Sequence, residues 1–119
     1  MDKMQQKLSV VFFRTEHGIE PVREWLISLN KADKKFIGED IKTVQFGWPL
    51  GMPLVKNLGQ GLWEVRVNLM HKRIARIIFF MDENTMILVN GFIKKTQKIP
   101  KIELDLAKQR KQIYLLGKK

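Results

Sequence analysis

Six cations on or just beyond three consecutive predicted strands are the residues best suited to do chemistry. They are Arg66 on the first strand, Arg73 and Arg76 on the second, and Lys94, Lys95 and Lys98 at and beyond the end of the third. Guanidinium groups bind phosphate through two parallel hydrogen bonds, and lysine supplies a compact positive charge. Because neighbouring strands lie about 4.8 Å apart, the pattern predicts one concave surface that binds a polyanion.

Neighbouring side chains would adapt this surface to RNA. Phe92, just before the lysines, can stack on a base, which is a sequence-tolerant way of holding a single strand. His71 and Lys72 occupy the predicted turn between the first two strands, within reach of the same ligand. We therefore predict RNA contacts from a set of five residues, namely His71, Lys72, Arg73, Phe92 and Lys98.

Metal-free cleavage of RNA is the reaction that fits these residues best. Glu64 is the one carboxylate on the polar face of its strand, and Asp82 and Glu83 are in a turn, so no carboxylate cluster for magnesium is predicted. In such cleavage the ribose 2′-hydroxyl attacks the adjacent phosphorus while cations stabilise the added negative charge. The catalytic candidates are Arg66 and Arg76 for charge stabilisation, Lys94 or Lys95 for proton transfer or charge, and Glu64 for proton transfer.

Each of these side chains also has a purely structural interpretation. Glu64 and Arg66 stand two residues apart on one strand face, where they can form a surface ion pair. Phe92 can belong to the core, and the lysines after it can be an ordinary solvated pair. Arg76 stands among isoleucines, where a charge must reach solvent or a partner, and this favours function at that position.

Composition narrows the class of ligand. The chain has 119 residues, enough for one hydrophobic core, and we expect a single domain over residues 1–119. The net charge is +10, and residues 61–119, with 13 Lys and Arg against 5 Asp and Glu, carry +8 of it. A polyanion such as nucleic acid is therefore the first candidate ligand.

Residue usage also excludes several kinds of site. The absence of cysteine rules out disulfides, thiol nucleophiles and cysteine-ligated zinc. No apolar run is long enough to span a membrane, so we expect a cytoplasmic protein with no membrane partner. Neither a metal site nor a cofactor is predicted.

Hydrophobic periodicity supplies the elements that must position the cations. Strands are predicted at residues 8–14, 62–69, 73–81 and 85–93, and helices at residues 21–29, 32–45 and 100–116. In strand 62–69 apolar residues alternate with Glu64, Arg66 and Asn68, which predicts one buried and one polar face. On the last helix the predicted inner residues are Leu106, Ala107, Ile113 and Tyr114.

The order of these elements predicts an α+β fold. It reads strand, helix, helix, a meander of three strands, then helix. Two N-terminal helices are expected to cover one face of a small, mostly antiparallel sheet.

Three separated segments of the chain resemble one known family. Residues 61–66 (GLWEVR), 73–79 (RIARIIF) and 90–100 (NGFIKKTQKIP), followed by a last helix with Ala107 and Arg110, are similar to the HigB-like, phage-derived branch of the RelE/ParE toxin superfamily. The resemblance runs over residues 10–110 and is strongest from residue 56 onward. It implies a RelE-like fold.

The resemblance also implies an activity and partners. Such proteins are toxins of type II toxin–antitoxin systems, and they are ribosome-dependent endoribonucleases (mRNA interferases) that cut mRNA in the decoding site. The cognate antitoxin is, in this branch, a helix-turn-helix protein that also binds operator DNA, so the toxin reaches that DNA only through it. An acidic or charge-complementary antitoxin surface is expected against a toxin of charge +10.

Matching the motifs assigns roles to individual residues. Arg66 matches a basic position on the first meander strand, Arg76 the phosphate-binding arginine of the second, and Lys94 or Lys95 the basic residue after the third. Glu64 stands where some relatives have lysine, and the single tyrosine, Tyr114, lies on the predicted inner face of the last helix. The general acid and base are therefore left open.

Two other functions stay open from the sequence. The chain can be a non-catalytic, ParE-like inhibitor of DNA gyrase, which would share the fold without the nuclease chemistry. It can also be a non-toxic, phage-derived nucleic-acid-binding domain, which the positive charge alone would explain.

Overall fold

A computed structural model describes residues 7–94 and 98–118. In chain order its elements are β1 (Ser9–Phe12), α1 (Pro21–Ser28), α2 (Lys31–Gly47), β2 (Val55–Gly59), β3 (Leu62–Asn68), a 3₁₀ turn (Met70–Lys72), β4 (Ile74–Asp82), β5 (Thr85–Lys94) and α3 (Lys101–Gly117). The predicted α+β class is confirmed. Within the described ranges, no helix is both long enough and apolar enough to cross a lipid bilayer.

The five strands form one mixed sheet in the order β1-β5-β4-β3-β2. β1 runs parallel to β5 and the other neighbours are antiparallel, so the predicted meander forms most of the sheet. The sequence-based prediction missed β2, because its sequence VKNLG shows no alternation. This segment becomes a strand because a tight turn at residues 59–61, all with positive φ, folds it against β3.

Helices α1 and α2 cover one face of the sheet. Their buried apolar residues are Val22, Ile37, Ile41 and Val44, which share a core with Val65, Val67, Ala75 and Ile77 of β3 and β4. The start of α2 is fixed by the Asn30 side chain, which accepts a hydrogen bond from the Asp33 backbone N–H at 2.8 Å. The predicted placement of these two helices on one face therefore agrees with the structure.

The other face of the sheet is covered by α3, which corrects the open polar face predicted for β3. Ala107 and Leu104 of this helix pack with Leu62, Ile78 and Phe80 of the strands. The part of this face that α3 leaves uncovered reaches solvent. The polar residues of β3 therefore differ in exposure, since Glu64 is buried, Arg66 is mostly buried and Asn68 is exposed.

The inner side of α3 differs from the prediction at two of the four positions. Ala107 is buried, and Tyr114 packs against the sheet as predicted. Ile113, however, is 46% exposed. Leu106 is not among the side chains that pack on the sheet, whereas Leu104 is.

Polar anchors explain the rotation of α3. The Tyr114 hydroxyl donates to the Asp82 carboxylate at 2.7 Å, and the Arg110 guanidinium donates to the Val89 carbonyl at 2.8 Å. Arg110 and Tyr114 are four residues apart and therefore share one side of the helix. With that side turned to the sheet, Ile113 faces outward.

A bulge in β5 decides which residues face the cations of β4. The pairing of β4 with β5 skips Val89. Beyond this bulge, Phe92 lies opposite Arg76, and Gly91 turns toward the indole ring of Trp25 in α1. A Cβ atom on Gly91 would lie 2.5 Å from two carbons of that ring.

We predict that Gly91→Ala lowers the free energy of unfolding by about 1–3 kcal/mol, because the added methyl group overpacks the contact with Trp25. The measurement is equilibrium unfolding in urea. Gly38→Ala is the matched control, since nothing lies within 4 Å of its added Cβ. That change should stabilise α2 by roughly 0.5–1 kcal/mol, and equal effects of both substitutions would contradict the packing assignment.

Candidate functional site

A buried carboxylate between two arginines lies at the centre of the candidate site. Arg66 of β3 and Arg76 of β4 are register partners in the sheet, and Glu64 lies two residues before Arg66 on the same face. Arg76 Nη1 donates to Glu64 Oε2 at 3.2 Å. Arg66 Nε lies 3.7 Å from Glu64 Oε1. Glu64 therefore forms ion pairs with both predicted phosphate-binding arginines.

The three side chains differ in exposure. Those of Glu64 and Arg76 are 0% exposed, whereas that of Arg66 is 14% exposed. The alternative interpretation predicted an ion pair between Glu64 and Arg66 at the surface. The two residues do form an ion pair, but the Glu64 carboxylate lies in the interior. Burying a charge is costly unless it is paired, and two guanidinium groups around one carboxylate leave a net charge of +1 next to the exposed edge of Arg66.

Arg66 also borders a small open cavity. It is lined by Pro53, Arg66, Asn68 and Ile74 and has a volume of about 170 Å³. In the sheet, Ile74 lies between Asn68 on one side and Lys94 on the other. Asn68 and Lys94 are both exposed, so a guanidinium, an amide and an ammonium group flank one surface that a phosphate could approach.

Asn68 and Pro53 were not predicted as site residues. The alternation of Glu64, Arg66 and Asn68 along β3 was a sufficient signal for Asn68, because it placed all three on one face. Pro53 comes from the loop before β2, and no pattern in the sequence links that loop to Arg66.

Phe92 does not present a free stacking surface. It lies opposite Arg76 on β5 and is only 7% exposed. Its ring packs in the core beneath α3, in the cluster that contains Phe13 and Ala107. The alternative interpretation of Phe92 as a core residue therefore agrees with the structure.

Arg73 belongs to a different part of the molecule from Arg66. Its guanidinium donates to both carboxylate oxygens of Asp33 in α2, at 2.8 and 3.0 Å, and its Nε donates to the Met70 carbonyl at 3.1 Å. These hydrogen bonds clamp the β3–β4 connection to α2, on the face of the sheet that α1 and α2 cover. The prediction that Arg73 converges with Arg66 and Arg76 is therefore not what the structure shows.

The remaining predicted contacts are exposed or lie outside the described residues. His71 and Lys72 are exposed in the 3₁₀ turn, both with positive φ. Lys98 is exposed just before α3. Lys95 lies outside the described residues. Tyr114 lies near the other end of β4, at Asp82, so it is not grouped with Arg66.

The described residues offer no obvious metal centre. Within residues 7–94 and 98–118, no three side chains from His, Asp or Glu come together in a way that could hold a metal ion. The surface around Arg66 presents positive charge and hydrogen-bond donors, from Arg66, Asn68 and Lys94.

Comparison with known proteins identifies the family. Residues 24–112 match the family model described as phage-derived protein, Gp49-like. The chain belongs to the Gp49-like family. This is a phage-derived, toxin-like family of the RelE/HigB superfamily, and membership implies an antitoxin partner in general. The matched region, residues 24–112, includes every candidate residue from Glu64 to Lys98. A search of curated proteins found no match to the chain.

We predict that Glu64→Gln destabilises the Gp49-like fold by about 3–5 kcal/mol, because a buried cation loses its counter-charge. Urea unfolding monitored by tryptophan fluorescence would measure the change. Glu83→Gln, in the exposed β4–β5 turn, is the control and should change stability by less than about 0.5 kcal/mol. A Glu64→Gln variant as stable as the parent would contradict the pairing.

A second prediction concerns the clamp between Asp33 and Arg73. Hydrogen bonds from the Arg73 guanidinium hold the pKa of the Asp33 carboxyl below its usual value. Asp33→Asn should lower the Tm by about 5 °C at pH 7. Because the folded pKa is depressed, this advantage of the parent is complete above about pH 5 and is lost as the pH falls below about 4. A Tm difference that is constant from pH 7 to pH 3 would contradict the assignment.

Proposed function

We propose that this protein is the toxin of a type II toxin–antitoxin system and cleaves ribosome-bound mRNA without a metal ion. One observation carries the proposal within a toxin-like family: Arg66 opens onto a cavity, and together with the buried Glu64 and Arg76 it forms a cluster of net charge +1. Such a fixed positive field favours a phosphate whose negative charge increases during reaction.

Some residues of the site would contact the phosphate, and others would position the residues that do so. Arg66 contacts the scissile phosphate, Asn68 donates a hydrogen bond to it, and Lys94 supplies a second positive charge. Glu64 and Arg76 are buried and are positioning residues, since Glu64 fixes the guanidinium of Arg66 while Arg76 balances the carboxylate. This differs from a direct contact between Arg76 and phosphate, because Arg76 is fully buried.

The proposed step is an internal transfer of the phosphoryl group. The 2′-oxygen loses its proton and bonds to the adjacent phosphorus, while the bond from phosphorus to the 5′-oxygen breaks and that oxygen gains a proton. The products are a 2′,3′-cyclic phosphate and a free 5′-hydroxyl. Lys94 or Lys95 is proposed to assist proton transfer or to stabilise charge, and His71 and Lys98 are proposed to contact neighbouring RNA.

The proposal includes partners and a setting. The inhibitor would be a helix-turn-helix antitoxin, and operator DNA would be bound only through it. Exposed lysines and arginines beyond the site would dock on ribosomal RNA, with an affinity that falls as salt rises. This activity belongs in the cytoplasm.

We predict that induced expression stops growth and produces discrete cuts in translated messages, which primer extension would map. Arg66→Ala should reduce the cleavage rate by about 10²–10³-fold, because a phosphate-stabilising donor is lost. Lys94→Ala should reduce it by a smaller factor. The matched control is Lys42→Ala, an exposed cation of α2 on the other side of the sheet, which should leave cleavage unchanged.

The alternatives give different results in the same experiment. Growth arrest with intact mRNA and gyrase-linked DNA damage would indicate a ParE-like inhibitor. RNA or DNA binding without growth arrest would indicate a non-toxic binding domain. Cleavage that Arg66→Ala leaves unchanged, at an unchanged Tm, would overturn the site assignment alone.

A further inference from the structure

The first turn of α3 is fixed to the sheet by one buried side chain of β5, that of Asn90. This side chain is in a residue only 5% exposed, and its amide nitrogen donates to the Glu103 carbonyl at 2.9 Å and to Glu103 Oε1 at 3.0 Å. Its Oδ1 accepts from the Gly91 backbone N–H at 2.9 Å. Because an unmade hydrogen bond is costly in the interior, these contacts define where α3 starts.

The strand register places this anchor beside the candidate site. Residues that lie opposite one another on neighbouring strands form rows across the sheet, and one row contains Asn90, Ile78 and Glu64. β5 ends four residues beyond Asn90, at Lys94. The row that contains Arg66 lies between these two positions. The chain therefore leaves the sheet on one side of the Arg66 row and is tied to it again, through α3, on the other side.

Lys98 lies on this return path and is exposed. The next residue, Ile99, packs against the cluster beneath α3 that contains Phe92. Lys98 and Lys94 are four residues apart in the chain, so their Cα atoms lie at most about 14 Å from each other. Since both Ile99 and the first turn of α3 are held on this face, Lys98 has a defined position on the face of the sheet that carries Arg66.

We propose that Asn90 is a positioning residue of the phosphate-binding surface. By fixing the first turn of α3, it holds the Lys98 ammonium group near Arg66, where that group binds the phosphate next to the scissile one. Lysine suits this task because its compact charge needs no fixed hydrogen-bond geometry. The inference rests on the proposed function in naming RNA as the ligand, and it extends the site from one phosphate to two.

The opposite end of α3 offers a matched control for a merely structural role. There the Tyr114 hydroxyl donates to Asp82 at 2.7 Å. Asp82 is six residues along β4 from Arg76, the register partner of Arg66, which corresponds to about 20 Å. Tyr114→Phe should therefore loosen the end of α3 and leave its first turn in place.

The probe is a fluorescein-labelled uridine octamer with 2′-O-methyl groups, which has no free 2′-hydroxyl within it to attack phosphorus. Anisotropy titrations at several salt concentrations give its affinity for the full chain. Lys98→Ala should weaken binding roughly fivefold, and the slope of log affinity against log salt should fall by about 0.7, as for one lost phosphate contact on a single strand. Asn90→Ala should weaken binding about threefold and reduce the slope in the same direction.

A double-mutant cycle separates positioning from general loosening of the fold. If Asn90 acts through Lys98, Asn90→Ala should add nothing to the loss in the Lys98→Ala background. Tyr114→Phe should lower the Tm and leave both the affinity and the salt slope unchanged. Circular dichroism establishes folding, and Ile99→Ala, which removes the other contact that holds Lys98, is the second variant for the same cycle if Asn90→Ala does not fold.

Additive effects of Asn90→Ala and Lys98→Ala would overturn the proposal. Equal losses of affinity in Asn90→Ala and Tyr114→Phe would do the same, as would a parent chain that does not bind the octamer. Failure of the nuclease proposal gives a different pattern, in which the cycle is non-additive but no cuts appear in mRNA. Mapped cuts together with an additive cycle would refute the positioning role alone.

Discussion

The structure depends on one electrostatic constraint, which is the placement of the Glu64 carboxylate in the interior of the sheet. A buried carboxylate is tolerable only with cationic partners, and β3 and β4 provide them as Arg66 and Arg76. The strand register must keep these side chains on one face, where Glu64 and Arg76 are buried and an edge of Arg66 stays open. The geometry of the candidate site is therefore part of the packing of the sheet.

The two faces of the sheet differ in the charged residues that they carry. The face beneath α1 and α2 is mostly apolar. The partly buried ion pair between Asp33 and Arg73 fastens the β3–β4 connection to α2. The face beneath α3 holds the buried charges and continues into solvent at Asn68 and Lys94. Because α3 crosses only part of this face, the region around Arg66 stays open to solvent.

The large positive charge of the second half of the chain comes from two groups of cations, one paired inside the fold and one exposed. Some cations form ion pairs within the protein, namely Arg73 with Asp33, Arg76 with Glu64 and Lys118 with Asp82. Lys94 and Lys98 are instead exposed near the end of β5 and before α3. The excess charge is thus partly structural and partly available for a polyanion.

By itself the sequence determined the α+β class, the positions of three helices and four strands, and the convergence of Arg66 and Arg76 on one face of the sheet, because these follow from local periodicity and charge. Motif resemblance also led to the toxin-like family that the Gp49-like match supports. Only the tertiary structure decided that β2 is a strand, that Arg73 pairs with α2, and that Phe92 and Arg76 are buried. These features depend on contacts between residues far apart in the chain and on the rotation of α3, which polar anchors at Val89 and Asp82 fix. Periodicity reports which side of a strand is apolar, but it does not report whether a distant helix covers the other side.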